Sequence, residues 1–279
     1  MKKFVTTKYE IKTNQLHHRS LTFAGITDLH NVRYGSDNQP VLQAMKKIRP
    51  DAILIAGDLV LGKKGESLEP ARQFLQELLC LAPVIYAPGN HEQRMKLFPD
   101  SYDASFSQYR RQIRKMGVIY LENEEFQMEI KGETVHFFGL ELPYRYYMKG
   151  SEAARKGPDL QELNGLIGKP EKEGLNILLA HTPRFGKVYF QWGADLTLSG
   201  HYHGGVMRLP LVGGVLSPDF VLFPSYSYGR FQKEGKNLIV SSGLGEHTLP
   251  LRIFNPRELT VLSFVPERKR KGTGIWEFL

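Results

Sequence analysis

Glycine-flanked histidines and carboxylates are the residues of this chain whose types and spacing could do chemistry. The segment Ser199-Gly200-His201-Tyr202-His203-Gly204-Gly205 sets two imidazoles two positions apart. In an extended segment alternate side chains point the same way, so both rings could serve one pocket, and a bend would divide them between two ions. Neutral imidazole is the commonest metal-ligating side chain, and the glycines leave room for a ligand to come close. An isolated His-x-His is more often a polar turn than a metal site, so the rest of the chain decides. It supplies Asp28-Leu29-His30, Gly57-Asp58, Gly89-Asn90-His91-Glu92 and His181.

Each block follows a short apolar run that can act as its support. Alternation of β-branched and aromatic residues with polar ones predicts a strand over 4–11, and a second, more buried one over 21–27 leads into Asp28. A helix is expected over 40–48, a strand over 52–56 ending at Asp58, a helix over 69–81, and a strand over 84–87 ending at Asn90 and His91. Strands over 176–180 and 194–199 deliver His181 and then His201 and His203. Strands alternating with helices imply a parallel α/β sheet, whose ligands sit outside the carboxyl ends of the strands. Between these runs, 94–116 reads as helical and partly covering the site, 127–130 with 134–140 as a hairpin around Gly132, 144–173 as a charged loop, and 184–191 as a helix. The strands over 206–209, 238–241, 251–254 and 259–265 are expected to form a second sheet against the first. No linker and no repeat at solenoid spacing divides the chain, so one domain over 1–279 is expected.

With 41% hydrophobic and 24% charged residues, the 279-residue chain has an ordinary globular composition, which excludes global disorder. No apolar run approaches the roughly 20 residues needed to span a bilayer, and the first residues lack the apolar core of a signal peptide. A cytoplasmic protein is expected, which suits the single cysteine, Cys80, read as a small buried hydrophobe in the 74–81 run. The formal net charge of +8 favours phosphate-rich partners: nucleotides, nucleic acid or an anionic membrane surface. Part of it lies in a basic tail over 267–279, where Glu267-Arg268-Lys269-Arg270-Lys271 precedes Trp276, Phe278 and Leu279. A solvated tail is the simpler reading and a peripheral contact with an anionic membrane the sharper one. No obligate protein partner is evident.

Five of the nine histidines stand at predicted strand ends, together with two aspartates and an asparagine. Such oxygen and nitrogen donors suit first-row divalent metals, and the set is large enough for two ions. Singly, Asp28 and Asp58 read as turn or cap residues, Asn90 as a left-handed turn residue and His181 as a core histidine. Those readings do not explain why all of them collect at one edge of one sheet.

The ordered blocks Asp-x-His, Gly-Asp, Gly-Asn-His-Glu, His and Gly-His-x-His, spread over about 21–265, resemble those of the calcineurin-like metallophosphoesterases. Within that family the chain is similar to the bacterial YkuE- and YaeI-like branch, through Gly200-His201-Tyr202-His203-Gly204-Gly205, Leu209-Pro210, Tyr228-Gly229-Arg230-Phe231, Ser242-Gly243-Leu244-Gly245 and Pro250-Leu251-Arg252. The resemblance implies an α/β, four-layer sandwich of two mixed β-sheets flanked by helices. It implies that Asp28, His30 and His203 hold one metal, that Asn90, His181 and His201 hold another, and that Asp58 bridges them. His91 would stay off the metals and be catalytic, stabilising phosphoryl oxygens or protonating the leaving group. The implied cofactors are two divalent metal ions, Mn²⁺, Fe²⁺/Fe³⁺ or Zn²⁺, whose bridging hydroxide attacks phosphorus in line. The implied substrate is a small-molecule phosphodiester, phosphomonoester or pyrophosphate. The branch's association with UDP-sugar lipid precursors sets lipids beside nucleotides. A metal-binding scaffold without turnover and a metal-dependent nuclease are the alternatives. Members of the branch often begin with a membrane anchor, whereas this chain starts at the first strand, a departure that puts membrane attachment in doubt.

Two departures narrow the implication. Gly57-Asp58 continues as Leu59-Val60-Leu61-Gly62-Lys63, without the Asp-Arg of the Ser/Thr protein phosphatases, which argues against a phosphoprotein substrate. Tyr202 stands where the nearer relatives commonly carry Thr. Of the remaining histidines, His17, His18 and His136 are expected to be superficial or structural, while His247 and Arg252 are placed where they could approach the site. Glu92 is expected to support its loop rather than bind metal.

Overall fold

Runs of aliphatic and β-branched residues build two six-stranded sheets. The computed structural model of the chain describes residues 2–205, 207–209, 213–214, 224–246 and 252–267. The basic tail beyond Glu267, together with His247, Pro210, Pro250 and Leu251, lies outside the described residues. In chain order the elements are β1 (Phe4–Thr13), β2 (Leu21–Ile26), α1 (Gln39–Ile48), β3 (Ala52–Ala56), α2 (Glu69–Leu79), β4 (Val84–Ala87), α3 (Asn90–Leu97), α4 (Phe106–Lys115) and β5 (Ile119–Tyr120). They continue with β6 (Glu124–Ile130), β7 (Glu133–Leu140), α5 (Glu152–Lys156), α6 (Leu160–Ile167), β8 (Leu175–Ala180), α7 (Gly186–Trp192) and β9 (Leu196–Ser199). A two-residue pair, β10 (Arg208–Leu209) with β11 (Gly213–Gly214), precedes β12 (Gly229–Lys233), β13 (Lys236–Val240) and β14 (Arg257–Pro266).

The first sheet has the order β1-β14-β2-β3-β4-β5 and the second β12-β13-β9-β8-β7-β6. Both are mixed. In the first, β2, β3 and β4 run parallel, and β14 is antiparallel to β2 and parallel to β1. In the second, β7, β8, β9 and β13 run parallel, with β6 and β12 as antiparallel edges. Ala52–Ala56 and Leu175–Ala180 are buried along their whole length, as strands covered on both faces must be.

Side-chain alternation sorts these strands into layers. Phe23, Leu54, Ile85, Phe137, Ile177, Leu198 and Leu262 pack between the two sheets. Ala24, Ile53, Ile55 and Tyr86 face the other way, onto Leu42, Met45, Phe74, Leu75 and Ile113 of α1, α2 and α4. On the far side, Phe138, Leu178 and Ala180 pack on Leu163, Ile167, Tyr189 and Trp192 of α6 and α7. The result is the expected four-layer sandwich of two mixed sheets between helices. No helix among the described residues is long and apolar enough to cross a membrane.

Four expectations are corrected. The expected helix over 94–116 is broken after Leu97, because Phe98 precedes Pro99 and leaves helical geometry; α4 restarts under a Ser105 cap that accepts from the Gln108 N–H. The expected loop over 144–173 contains α5 and α6. The Asp159 carboxylate caps α6 by accepting from the Glu162 N–H at 2.8 Å, and Leu163 and Ile167 bury one face. The C-terminal strands do not form a sheet of their own: β12 and β13 extend the second sheet, whereas β14 enters the first. Cys80 is exposed, because α2 turns Ala71, Phe74, Leu75 and Leu78 inward and Cys80 follows at its C-cap.

His17 and His18 are exposed, as expected. Their backbone N–H groups, with that of Arg19, donate to the Glu133 carboxylate at 2.6–3.0 Å. His136 is buried in β7 with Nδ1 2.8 Å from Glu125 Oε1. Burial alone would raise the Glu133 carboxyl, but the three N–H donors outweigh it and hold the group below its ordinary 4.5. The stabilisation is therefore complete above pH 4.5 and disappears as pH falls through the lower, folded-state value. Glu133→Gln is expected to cost about 1–3 kcal/mol at neutral pH. Urea titrations at neutral and acid pH should show the difference from wild type shrinking below pH 4.5.

Candidate metal centre

Neighbouring parallel strands end at a common edge, and there the two sheets meet. From the first sheet, β2 delivers Asp28 and His30, β3 delivers Asp58, and β4 delivers Asn90 and His91 at the start of α3. From the second, β8 delivers His181, and β9 delivers His201 and His203. The expected site residues are thus brought together, but from the strand ends of two sheets rather than one edge of one sheet. Three groups of side chains have donor atoms within 4.8 Å of one another: Asp28, His30 and His203; His30, Asp58 and His91; Asp58, His181 and His201. Asp58 belongs to two of them.

The strands end in sharp turns. Asp28, His30, Asp58, His201 and His203 all have left-handed backbones, with φ of 50°, 49°, 54°, 64° and 48°. Such angles are uncommon outside glycine and persist only where surrounding contacts enforce them. Here the contacts are backbone hydrogen bonds between blocks. The N–H groups of Asp28, His30 and Asn31 donate to the carbonyls of Gly57, Asp58 and Leu59, while those of Leu244 and Gly245 donate to Thr27 and Asp28 from the other side.

Both aspartates are nearly inaccessible and accept backbone N–H groups. Asp28 takes the His201 N–H at 2.9 and 3.1 Å, and Asp58 takes the His91 N–H at 2.8 Å, at the N-terminus of α3. Two glycines make these contacts possible: a Cβ on Gly200 would collide with Asp28 Oδ2, and one on Gly89 with Asp58 Oδ1. The buried Glu92 carboxylate then fixes the turn. It accepts from the backbone N–H groups of Asp58, Leu59, Val60 and Gly89 and from the Tyr86 hydroxyl. This is the supporting role expected of it. Burial and the charge of Asp58 push its pKa up to about 7.

Around Asp58, the imidazole Nε2 atoms of His181, His30 and His91 lie 3.1, 3.8 and 3.9 Å from Oδ2. Around Asp28, those of His203 and His181 lie 3.6 and 3.8 Å from Oδ1, and the His30 and His203 Nε2 atoms are 3.2 Å apart. Burial alone would raise Asp58, but the imidazoles of His181, His91 and His30 outweigh it and hold the carboxyl well below its ordinary value. Burial alone would lower His181, but Asp58 and Asp28 outweigh it and push the ring up to about 10. Burial keeps His30 low and takes His91 down to about 3.

The donor set fits a divalent cation. His181 Nδ1 donates to the Ala56 carbonyl at 2.8 Å, which aims Nε2 at the two carboxylates; this carbonyl–imidazole pairing is the usual support of a ligating histidine. Asn90 Oδ1 is buried without a hydrogen-bond partner. Oxygen and imidazole donors without thiolate suit Mn²⁺, Fe²⁺ or Zn²⁺. His91 differs from the others. The Gly62 N–H donates to its Nδ1 at 3.0 Å, so the proton of the neutral ring sits on Nε2, as a donor rather than a ligand.

Three further side chains lie against the site. Arg252, singled out in the sequence, sits behind His203, with Nη2 3.2 Å from His203 Nδ1 and bonded to the Ser242 and Gly245 carbonyls. Arg94, within 3.1 Å of His91 Nδ1, and Tyr147, with its ring centroid 5.7 Å from that of His201 and edge-on to it, stand outside the set that the sequence points to. Arg94 carried a signal, its i,i+3 spacing from His91, whereas Tyr147 carried none. Tyr202 is buried, and its hydroxyl accepts from Arg184 Nε at 3.4 Å.

Glu92→Ala is expected to lower the unfolding free energy by about 3 kcal/mol or more, because several buried donors lose one acceptor at about 1–3 kcal/mol each; urea titration reads the loss. Gly200→Ala is expected to displace Asp28 and weaken metal uptake, seen as metal content after dialysis against Mn²⁺.

The calcineurin-like phosphoesterase family matches residues 21–205, which contain all of these strand ends. An uncharacterized metallophosphoesterase of Helicobacter pylori is 27% identical over 238 residues, covering 82% of this chain and 55% of that protein. YkuE of Bacillus subtilis is 33% identical over 107 residues, 35% of this chain and 37% of YkuE. The chain thus spans little more than half the length of the first relative and less of the second. An Aquifex aeolicus metallophosphoesterase is 27% identical over 276 residues, covering 96% of this chain and 92% of that protein. Among solved structures, the Mycobacterium tuberculosis phosphopantetheinyl hydrolase PptH has a TM-score of 0.50 at 16% identity, over 80% of this chain and 90% of its own. The Thermus thermophilus sulfate thiohydrolase SoxB has a TM-score of 0.51 at 12% identity, over 86% and 56%. These likenesses show the shared fold, and the matched span with its strand-end donors shows that this chain belongs to the calcineurin-like phosphoesterase family.

Proposed function

We propose that this chain is a dinuclear metal-dependent phosphohydrolase that cleaves a phosphodiester, phosphomonoester or pyrophosphate bond in a nucleotide or lipid-precursor substrate. The observation that carries the reading is the cluster of strand-end donors where the two sheets meet, with Asp28 grouped with His30 and His203, and Asp58 grouped with His181 and His201 and 3.8 Å from His30. Asp28, His30 and His203 would hold one ion, Asn90, His181 and His201 the other, and Asp58 both. When bound, the ions supply Lewis acidity toward phosphoryl oxygens and a water acidic enough to attack phosphorus.

The chain's own groups do the rest. Low-dielectric surroundings strengthen any hydrogen bond made to a developing charge. His91 meets that need: it is neutral through burial, and the Gly62 N–H leaves its remaining proton on Nε2, on the side of Asp58. From there it donates to a phosphoryl or leaving-group oxygen without being a ligand. The Glu92 carboxylate holds the Asp58 turn and the start of α3 in register, so His91 and Asp58 move as one unit.

Chelator-stripped protein should be silent toward bis-p-nitrophenyl phosphate and p-nitrophenyl phosphate, and Mn²⁺, Zn²⁺ or Fe²⁺ should restore turnover. His91→Ala should keep both ions and lose about 10²–10⁴-fold in turnover, whereas Asp58→Asn should lose metal as well. Full activity in His91→Ala would refute its role. Two bound ions with no hydrolysis of any ester would favour the scaffold reading, and salt-sensitive cleavage of DNA or RNA would favour the nuclease.

A further inference from the structure

Among the described residues, Arg94 is a cation beside the site that pairs with no carboxylate. It follows His91 by three positions on α3, so the two side chains share a helix face. Its Nη2 lies 3.1 Å from His91 Nδ1 and 3.3 Å from Nε2. Neither contact satisfies it. Nδ1 already accepts the Gly62 N–H, and a neutral imidazole offers a single acceptor lone pair. Arg94 Nε is buried with no hydrogen-bond partner, and among the described residues no carboxylate pairs with the guanidinium.

Its neighbours behave differently. Lys96, two residues along the same helix, pairs with Glu122 and Glu141 at 3.0 and 2.7 Å. Arg110 and Arg114 on α4 also reach Glu122, and Arg114 reaches Glu124. The acidic cluster therefore pairs with Lys96, Arg110 and Arg114 and does not reach the cation that faces His91. Desolvating part of a guanidinium without an acceptor is costly. A half-buried, unpaired arginine is explained if its acceptor arrives with a ligand.

We infer that Arg94 binds a non-bridging phosphoryl oxygen of the substrate, beside the oxygen that receives the His91 Nε2 proton donor. The inference rests on the phosphohydrolase reading. Guanidinium geometry matches phosphate, with two N–H groups for two oxygens, and the charge persists at every working pH. Arg94 thereby supplies the protein's own positive charge to the phosphate, beyond what any metal supplies. It favours groups that carry two free oxygens on the Arg94 side, so terminal phosphates gain more from it than diesters do.

The test uses the full chain loaded with Mn²⁺ and inorganic phosphate as the probe, read by calorimetric binding and by inhibition of p-nitrophenyl ester hydrolysis. Arg94→Met is expected to keep its metal content and melting temperature, to bind phosphate about 10–100-fold more weakly, and to raise KM more than it lowers kcat. Arg94→Lys should recover part of the affinity, and it keeps the assignment testable if the Met variant folds poorly. A wild-type enzyme that turns over while both variants bind phosphate as tightly as it does overturns the role of Arg94 and leaves the phosphohydrolase reading intact. Reduced kcat with unchanged phosphate affinity would make Arg94 a support of His91 alone, and also overturns it. Metal-loaded wild type that neither binds phosphate nor hydrolyses any ester overturns both.

Discussion

Negative charge is held in the interior of this protein by backbone N–H groups donated from other blocks of the chain. Asp28 accepts from His201, Asp58 from His91, and Glu92 from Asp58, Leu59, Val60 and Gly89. Each bond ties a carboxylate on one strand end to the backbone of another. Buried carboxylates need such partners, since an ionised group taken from water without compensation costs several kcal/mol. The site is therefore not a set of side chains mounted on a finished scaffold. Its carboxylates are what join the scaffold's strand ends.

The two sheets divide the work. The first supplies the acidic residues and the asparagine, the second supplies three of the imidazoles, and the ends of β2, β3, β4, β8 and β9 meet where the sandwich opens. A parallel arrangement makes this possible, because it points five carboxyl-terminal ends the same way. Left-handed turns at Asp28, Asp58, His201 and His203 then bend the chain abruptly enough to aim side chains back over the edge. Glycines at 89 and 200 let the carboxylates lie against neighbouring backbone.

Much of this was legible in the residues. The strands ending at Asp28, Asp58, Asn90 and His181 are short apolar runs closed by polar blocks, and period and composition place them within a residue or two of where they lie. Other features depend on partners distant in sequence. Nothing local says that β14 pairs with β1 and β2 while β13 pairs with β9, because an apolar strand of either kind reads alike. The helix α6 was hidden because its charged flanks look like a loop, although Asp159 and Gly168 cap it at either end. Cys80 reads as core from its apolar neighbours, but its angle on α2 turns it out. Arg94 and Tyr147 reach the site only through the way α3 and the segment after β7 fold over it.

Because β14 is wedged between β1 and β2, the first sheet cannot close until almost all of the described chain has been synthesised. Strand β2, which carries Asp28, therefore spends translation without one of its two neighbours, and the Ser241–Gly245 segment that seals Asp28 arrives just before β14 does. Non-local pairings of this kind are slow and leave strand edges open meanwhile. A ribosome-bound chain that has made every candidate ligand still lacks the pairing that buries them. Arrangement of the candidate ligands is thus tied to synthesis of β14, and a translation product interrupted before it would hold those residues without the structure that arranges them.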